Sequence, residues 1–142
     1  MTQSTEMMFA IKTEIRDPRA KNFAFDHQKT MYGGKQIAEG DTLFIFASEN
    51  EGGMGLIAKG KVISAAAIPR KRGVARQTPR VSITVRRIAP AKRALGRDQL
   101  KPHSNWKDGR PETELNFKFY RQATNKIVGL SAAAAEFLLG YF

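Results

Sequence analysis

Cysteine is absent from this 142-residue chain, and histidine occurs only twice. Disulfides, cysteine-based zinc sites and thiol catalysis are therefore excluded. His27 and His103 lie far apart and lack the i, i+4 spacing of a helical metal pair, so we expect no metal site and no cofactor. No apolar run approaches the roughly 18 residues of a membrane span, so no membrane segment is expected either.

Acidic residues are missing from the middle of the chain. Residues 52–97 contain twelve lysines and arginines and no aspartate or glutamate, whereas the flanking segments carry net charges of −2 and +1. A positive patch of this kind attracts polyanions, and nucleic acid, either DNA or RNA, is the first candidate partner. The alternatives are a solvated basic region that maintains solubility, or a contact with a ribosome or an acidic protein.

The remaining sequence favours one intracellular domain over residues 1–142. The hydrophobic content of 42% is sufficient for a core at this length. The first ten residues lack the basic start and long apolar run of a secretory signal, so we expect a cytoplasmic protein. No Walker, GxSxG, HExxH or GxGxxG motif occurs in its usual structural setting, so the common nucleotide-binding and hydrolase signatures are missing.

Several short segments have strand patterns. They are Met7–Lys12, Thr42–Ser48, Gly55–Ile68, Arg80–Arg86, Leu115–Tyr120 and Lys126–Val128. Gly60 interrupts the longest of them, which indicates a bulge. In Arg80–Arg86, apolar Val81, Ile83 and Val85 alternate with polar residues, as in a half-buried antiparallel strand.

The segments between the strands predict loops and one helix. Residues 16–35 are mostly polar and are expected to form a long loop or short helices. Residues 69–79, with two prolines, a glycine and several cations, predict a basic projecting loop. Ser131 is the expected N-cap of a C-terminal helix that ends before Gly140. Together these patterns indicate an α+β domain built on a strongly curved barrel of five or six strands.

Two motifs resemble EVE domains, which are relatives of the YTH and ASCH domains in the PUA-like superfamily. Phe9–Glu14 (FAIKTE) is similar to the aromatic-x-x-Lys-Ser-Glu strand end of that family. Gly40–Ser48 (GDTLFIFAS) resembles its Gly-Asp-x-x-Phe-x-Tyr-x-Ser run, and Gly55–Ala58 resembles the following strand. The resemblance implies a PUA-like, antiparallel or mixed barrel with short flanking helices, whose pocket receives a flipped or single-stranded base, often a modified one.

A base pocket needs an aromatic surface and a few polar groups for the base edge. Phe44, Phe46 and Ser48 share one strand face, where they either line a pocket or belong to the core. Lys12 and Thr13 lie at a strand end. This position is compatible either with a role at the mouth of a site or with simple exposure to solvent. Trp106 lies in a polar loop. It acts there either as a lid that stacks on a base or as an anchor that packs the loop onto the barrel.

The leading interpretation is a binding module without catalytic residues, in which the basic block holds the nucleic-acid backbone. The candidate backbone-binding residues are Arg70, Lys71, Arg72, Arg76, Arg80 and Arg86. A basic interaction domain for RNA or protein, without a base pocket, is a further alternative.

An enzyme of the ASCH branch is the third interpretation. Small amidohydrolases of that branch act on modified nucleosides with a lysine, a threonine and a carboxylate, and Lys12, Thr13 and Glu14 are the same residue types. A desolvated lysine beside a threonine is suited to activating the hydroxyl. Consecutive strand residues face opposite sides, however, which argues against convergence of these three side chains.

Overall fold

The fold is a closed barrel of six strands with one helical layer on its outer wall. A computed structural model describes residues 7–142; residues 1–6, which belong to the segment assessed for a secretory signal, lie outside the described residues. The strands are β1 (Met8–Thr13), β2 (Asn22–Met31), β3 (Thr42–Ala47), β4 (Gly55–Ala67), β5 (Arg80–Pro90) and β6 (Lys126–Gly129). Around the barrel their order is β1-β3-β4-β5-β2-β6.

The strand directions define two ends of the barrel. β1 and β3 are parallel, as are β2 and β6, and the other neighbouring pairs are antiparallel. The last residues of β1, β3 and β5 and the first residues of β2, β4 and β6 therefore share one end, which we call the site end. The 68–79 loop, which joins β4 to β5, lies at the opposite end.

Period-two alternation separates the core into two clusters. One face of the strands fills the barrel, with Phe9, Ile11, Phe23, Phe25, Leu43, Ile45, Val62, Val81, Ile83, Val85 and Ile127. The other face of β1, β3 and β6 is the outer wall, where Ala10, Phe44, Phe46 and Val128 pack against the helical layer. Both aromatic rings of β3 thus lie between the barrel and the helices.

The helical layer comprises α1 (Arg97–Leu100), α2 (Pro111–Phe117), a π-helical continuation (Lys118–Gln122) and α3 (Ala132–Leu139). The predicted cap of α3 is confirmed: the Ser131 hydroxyl oxygen accepts a hydrogen bond from the Ala134 N–H at 3.1 Å. Within residues 7–142, no helix has the length and apolarity needed to cross a membrane.

The predicted loop over residues 16–35 is wrong, because it contains the ten-residue strand β2. Phe23 and Phe25 alternate with polar or small residues as a strand should, but the register against β5 shifts between Phe25 and Gln28, where His27 has φ 50°. The bulge reverses the alternation halfway along the strand and hides its pattern.

The strand predicted at Leu115–Tyr120 is also wrong, since the segment is helical. Pro111 at the first helical position and Glu112 and Glu114 in the first turn favour a helix start. Leu115 and Phe119 are four residues apart, and both are buried on the core side. The other predicted strands are confirmed, with bounds shifted by up to four residues, and Gly60 lies at a register shift between β4 and β5.

Candidate base-binding site

A cluster of polar side chains lies at the site end, between the outer wall and the helical layer. Lys12, near the end of β1, is only 1% exposed, and its ammonium nitrogen lies 4.7 Å from the centre of the Tyr120 ring. Burial lowers the pKa of Lys12, and nearby Glu49 partly opposes that effect. Lys12 is thus a desolvated cation in contact with an aromatic face.

Glu49 connects the barrel to the helical layer. It follows β3, and its two carboxylate oxygens lie 3.1 and 2.9 Å from the Tyr120 hydroxyl, which donates to them. One of these oxygens also accepts the Arg97 backbone N–H at 2.7 Å. Burial and the hydrogen bond to Glu49 raise the pKa of Tyr120, so its hydroxyl remains a donor at neutral pH.

Gly96 leaves room for the Glu49 carboxylate at the edge of this cluster. A β-carbon at this position would lie 2.5 Å from a Glu49 carboxylate oxygen. A larger residue would therefore move Glu49 away from Tyr120 and from the start of α1. Gly96 itself is fixed because its N–H donates to the Gln99 side-chain oxygen at 2.7 Å.

Ser48 begins the turn that carries Glu49, and it is 2% exposed. Its N–H donates to the Thr13 carbonyl at 2.8 Å, and its carbonyl accepts the Gly53 N–H at 2.8 Å. The first bond holds the end of β3 against the end of β1, and the second closes the turn that follows β3. Phe44 and Phe46, on the same strand face, pack against Phe142 and Phe119 with ring centres 5.8 and 4.9 Å apart.

The structure brings Lys12 and Ser48 to the same end of the outer wall but separates the other side chains of the β1 motif. Thr13 belongs to the opposite strand face and is half-buried, while Glu14 is exposed. The carboxylate near Lys12 is therefore that of Glu49 rather than Glu14. Sequence reasoning missed Glu49, Tyr120 and Arg97; for Tyr120 the signal was obscured by the mistaken strand.

Trp106 lies in the loop between α1 and α2 and is 41% exposed. Its ring meets Phe117 edge-on, with centres 5.5 Å apart, and the Arg121 guanidinium lies 5.1 Å from it. Trp106 also lines a surface groove of about 310 Å³ with Arg110, which precedes α2, and with Thr113 and other residues of α2. Its contacts are thus with α2 and the π-helical segment rather than with Lys12.

The candidate backbone-binding residues divide between two places. Arg70, Lys71, Arg72 and Arg76 are exposed on the 68–79 loop, at the end of the barrel opposite Lys12. The Gln77 side chain bonds to the backbone of Lys71 and Val74 and braces this loop. Arg80 begins β5 at the same end. Arg86 is exposed toward the site end, where its backbone lies opposite Asn22 of β2 and Lys61 of β4 in the sheet register.

Across residues 7–142, no group of three or more histidine, aspartate and glutamate side chains is placed to hold a metal ion. Hydrogen bonding and cation contact are the chemistry that the cluster offers.

A closed six-stranded mixed barrel with short helices and a C-terminal helix on its outer wall is a PUA-like fold. No protein-family profile matches the chain, and no curated protein matches its sequence. Solved structures do match, at sequence identities that establish the fold alone.

Three solved structures illustrate the likeness. The human THYN1 protein in complex with DNA containing 5-methylcytosine has a TM-score of 0.63 and 15% identity, over 95% of this chain and 96% of that one. The DUF55 domain of human thymocyte nuclear protein 1 has a TM-score of 0.63 and 16% identity, over 94% and 96%. A hypothetical protein from Leishmania major has a TM-score of 0.61 and 15% identity, over 95% and 93%.

Proposed function

We propose that the protein is a nucleic-acid-binding module of the EVE type, which reads one base at the Lys12 cluster and holds the backbone with its basic surface. The observation that carries the proposal is the buried ammonium of Lys12. Among the residues that the structure describes, no carboxylate lies within ion-pair distance of it. A buried cation without an ion pair lowers stability by several kcal/mol, so its presence supports a role in binding.

The side chains around Lys12 suit the edge of a base. Lys12 donates hydrogen bonds, the Glu49 carboxylate accepts them, and the Ser48 hydroxyl does both. A base edge presents donors and acceptors side by side, so a neighbouring cation and carboxylate match it. The single Tyr120 O–H proton leaves lone pairs free on the oxygens of Glu49, so Glu49 is able to accept a hydrogen bond from a base as well.

The charge distribution supports a polyanionic ligand. In the described part of the chain only two ion pairs form, Arg110 with Glu112 and Lys118 with Glu114, and neither includes a cation from residues 52–97. These cations are available to phosphates, whose neutralisation releases counterions. The human THYN1 complex contains 5-methylcytosine, which makes this base a suitable first ligand to test here.

Fluorescence anisotropy with a labelled single-stranded 12-mer, carrying cytosine or 5-methylcytosine at its centre, tests the proposal. We expect Ser48→Ala to weaken binding of the preferred oligonucleotide by about 1 to 3 kcal/mol, because a buried hydrogen-bond partner is left unsatisfied. Ser64→Ala changes an exposed serine of β4 and serves as the control. Base reading at Ser48 would be refuted if Ser48→Ala weakened binding of both oligonucleotides equally. It would also be refuted if Ser64→Ala weakened binding as much as Ser48→Ala.

Hydrolysis of a modified nucleoside is a second candidate, favoured by the lowered pKa of Lys12 and the carboxylate of Glu49 nearby. A neutral lysine is able to act as a general base toward water in amide hydrolysis. Incubation with N4-acetylcytidine, followed by chromatography, tests this activity. Release of cytidine and acetate by the wild-type protein but not by Lys12→Met would favour the enzyme over the binding module.

A further inference from the structure

A groove of about 440 Å³ lies on the barrel at its site end. It is formed where β2 begins and β5 ends, and it is lined by Lys21, Asn22, Arg86, Arg87, Ile88, Ala89 and Pro90. Three of these side chains are cationic and none is acidic. Lys21 lies outside the basic block of residues 52–97, so the sequence did not associate it with Arg86 and Arg87.

Arg87 has an unusual environment in this groove. Its Nε atom is buried and has no hydrogen-bond partner among residues 7–142. Its backbone is fixed, because the Arg87 N–H donates to the Lys21 carbonyl at 2.8 Å. A buried guanidinium N–H without an acceptor is costly, and an anionic oxygen entering the groove would satisfy it. Guanidinium groups match phosphate oxygens in geometry as well as in charge.

A β-bulge lies in the part of β5 that forms the groove. Gly60 of β4 pairs with Arg87 and Lys59 pairs with Ala89, so Ile88 is an extra residue in β5. Such a bulge bends the strand and redirects its side chains. A β-carbon at Gly60 would lie 2.4 Å from Val85, which explains the glycine at this position.

The charges near the groove are not compensated by the protein. Arg86 lies directly opposite Lys61 on the neighbouring strand, a like-charge pair that is unfavourable in a sheet. None of the four cations at this place forms an ion pair within the described residues; they are Lys21, Lys61, Arg86 and Arg87. A phosphate bound in the groove would relieve this repulsion.

We propose that this groove binds a phosphodiester of the nucleic-acid backbone at the same end of the barrel as the base read at the Lys12 cluster, a proposal that rests on the proposed function. The groove and the cluster share the site end of the barrel. The 68–79 loop is separated from that end by the thirteen residues of β4, roughly 40 Å along the strand. The groove, rather than this loop, is therefore the principal backbone contact for a short oligonucleotide.

Two triple variants with the same loss of charge test the assignment. One changes the groove (Lys21→Gln, Arg86→Gln, Arg87→Gln) and the other changes the loop (Arg70→Gln, Lys71→Gln, Arg72→Gln). Binding of the labelled 12-mer is measured at several NaCl concentrations. We expect the groove variant to lose at least about tenfold in affinity. We also expect the slope of log binding constant against log salt concentration to become shallower by about 0.7 per lost phosphate contact. Both changes should be smaller for the loop variant. Equal effects, or a larger effect of the loop, would overturn the proposal.

A charge-conserving variant separates binding from folding. Arg87→Lys keeps the cation but removes the unsatisfied Nε–H, so we expect weaker binding of the 12-mer and a melting temperature that does not fall. The Arg87 Nε–H resonance should shift in NMR titrations with the 12-mer at micromolar concentration. A shift only with inorganic phosphate at millimolar concentration would assign a simple anion site and overturn the backbone role.

The outcomes also distinguish this proposal from the proposed function. If the wild-type protein binds none of the oligonucleotides, both are overturned. If Ser48→Ala removes the base preference while the groove variant binds like the wild type, only the groove assignment fails.

Discussion

Replacing Lys12 with methionine should make the protein more stable and its binding weaker. The lysine is 1% exposed and has no carboxylate within ion-pair distance among the described residues. Methionine has a similar length and no charge to desolvate, so we expect a gain of about 1 to 3 kcal/mol in the free energy of unfolding at neutral pH. At this chain length that is a rise of about 3 to 10 °C in melting temperature.

The pH dependence provides a second test of the same variant. Because the folded-state pKa of Lys12 is lowered, the unfolded chain binds more protons between that pKa and the ordinary lysine value of 10.5. In this window the Lys12 contribution to wild-type stability improves as the pH rises. The advantage of Lys12→Met should therefore be largest at neutral pH and shrink toward pH 10.5.

Urea unfolding of the wild type and Lys12→Met across this pH range measures the difference in the free energy of unfolding. Lys126→Met, at the same end of the barrel but half-buried, is the matched control. A Lys12→Met protein that is less stable than the wild type at neutral pH would refute the argument, because it would mean that the ammonium is well compensated in the folded state.

Two further substitutions test the helical layer. Trp106→Ala should lower the free energy of unfolding by about 1 to 2 kcal/mol, because the substitution removes one edge-on aromatic contact and one cation contact. The loss is modest because the ring is 41% exposed. A loss above about 3 kcal/mol in thermal melts would instead indicate a buried anchor. Ser131→Ala should cost about 1 kcal/mol, because the α3 cap is lost. Ser104→Ala, an exposed loop position, is its control, and equal melting temperatures for the two serine variants would contradict the capping role.

The barrel was largely predictable from the sequence because most of its strands carry an uninterrupted local pattern. Val81, Ile83 and Val85 alternate without a break, and all three are buried inside the barrel. β2 escaped detection because its bulge changes the phase of the alternation near His27. Leu115 and Phe119 fit both a strand and a helix, and the first-turn residues Pro111 and Glu112 were the better guide.

The site was only partly predictable. The strand period placed Phe44, Phe46 and Ser48 on one face, but it does not reveal whether that face lies inside the barrel or on its outer wall. The outer wall became evident only from the contacts of Phe44 and Phe46 with Phe142 and Phe119. Tyr120 approaches Glu49 across 71 residues of sequence, and such a contact has no local signature.

The division of the site between the barrel wall and the helical layer has a kinetic consequence. Lys12 and Ser48 belong to the barrel, whereas Tyr120 and Arg97 belong to the layer that covers them. Because Lys12 is only 1% exposed, a molecule as large as a base requires this layer to move before it contacts the lysine. If the cluster reads a base as proposed, the opening rate of the layer, measurable by hydrogen exchange of the α1 and α2 amides, would limit how fast the base enters, and the closing rate would contribute to how long it remains bound.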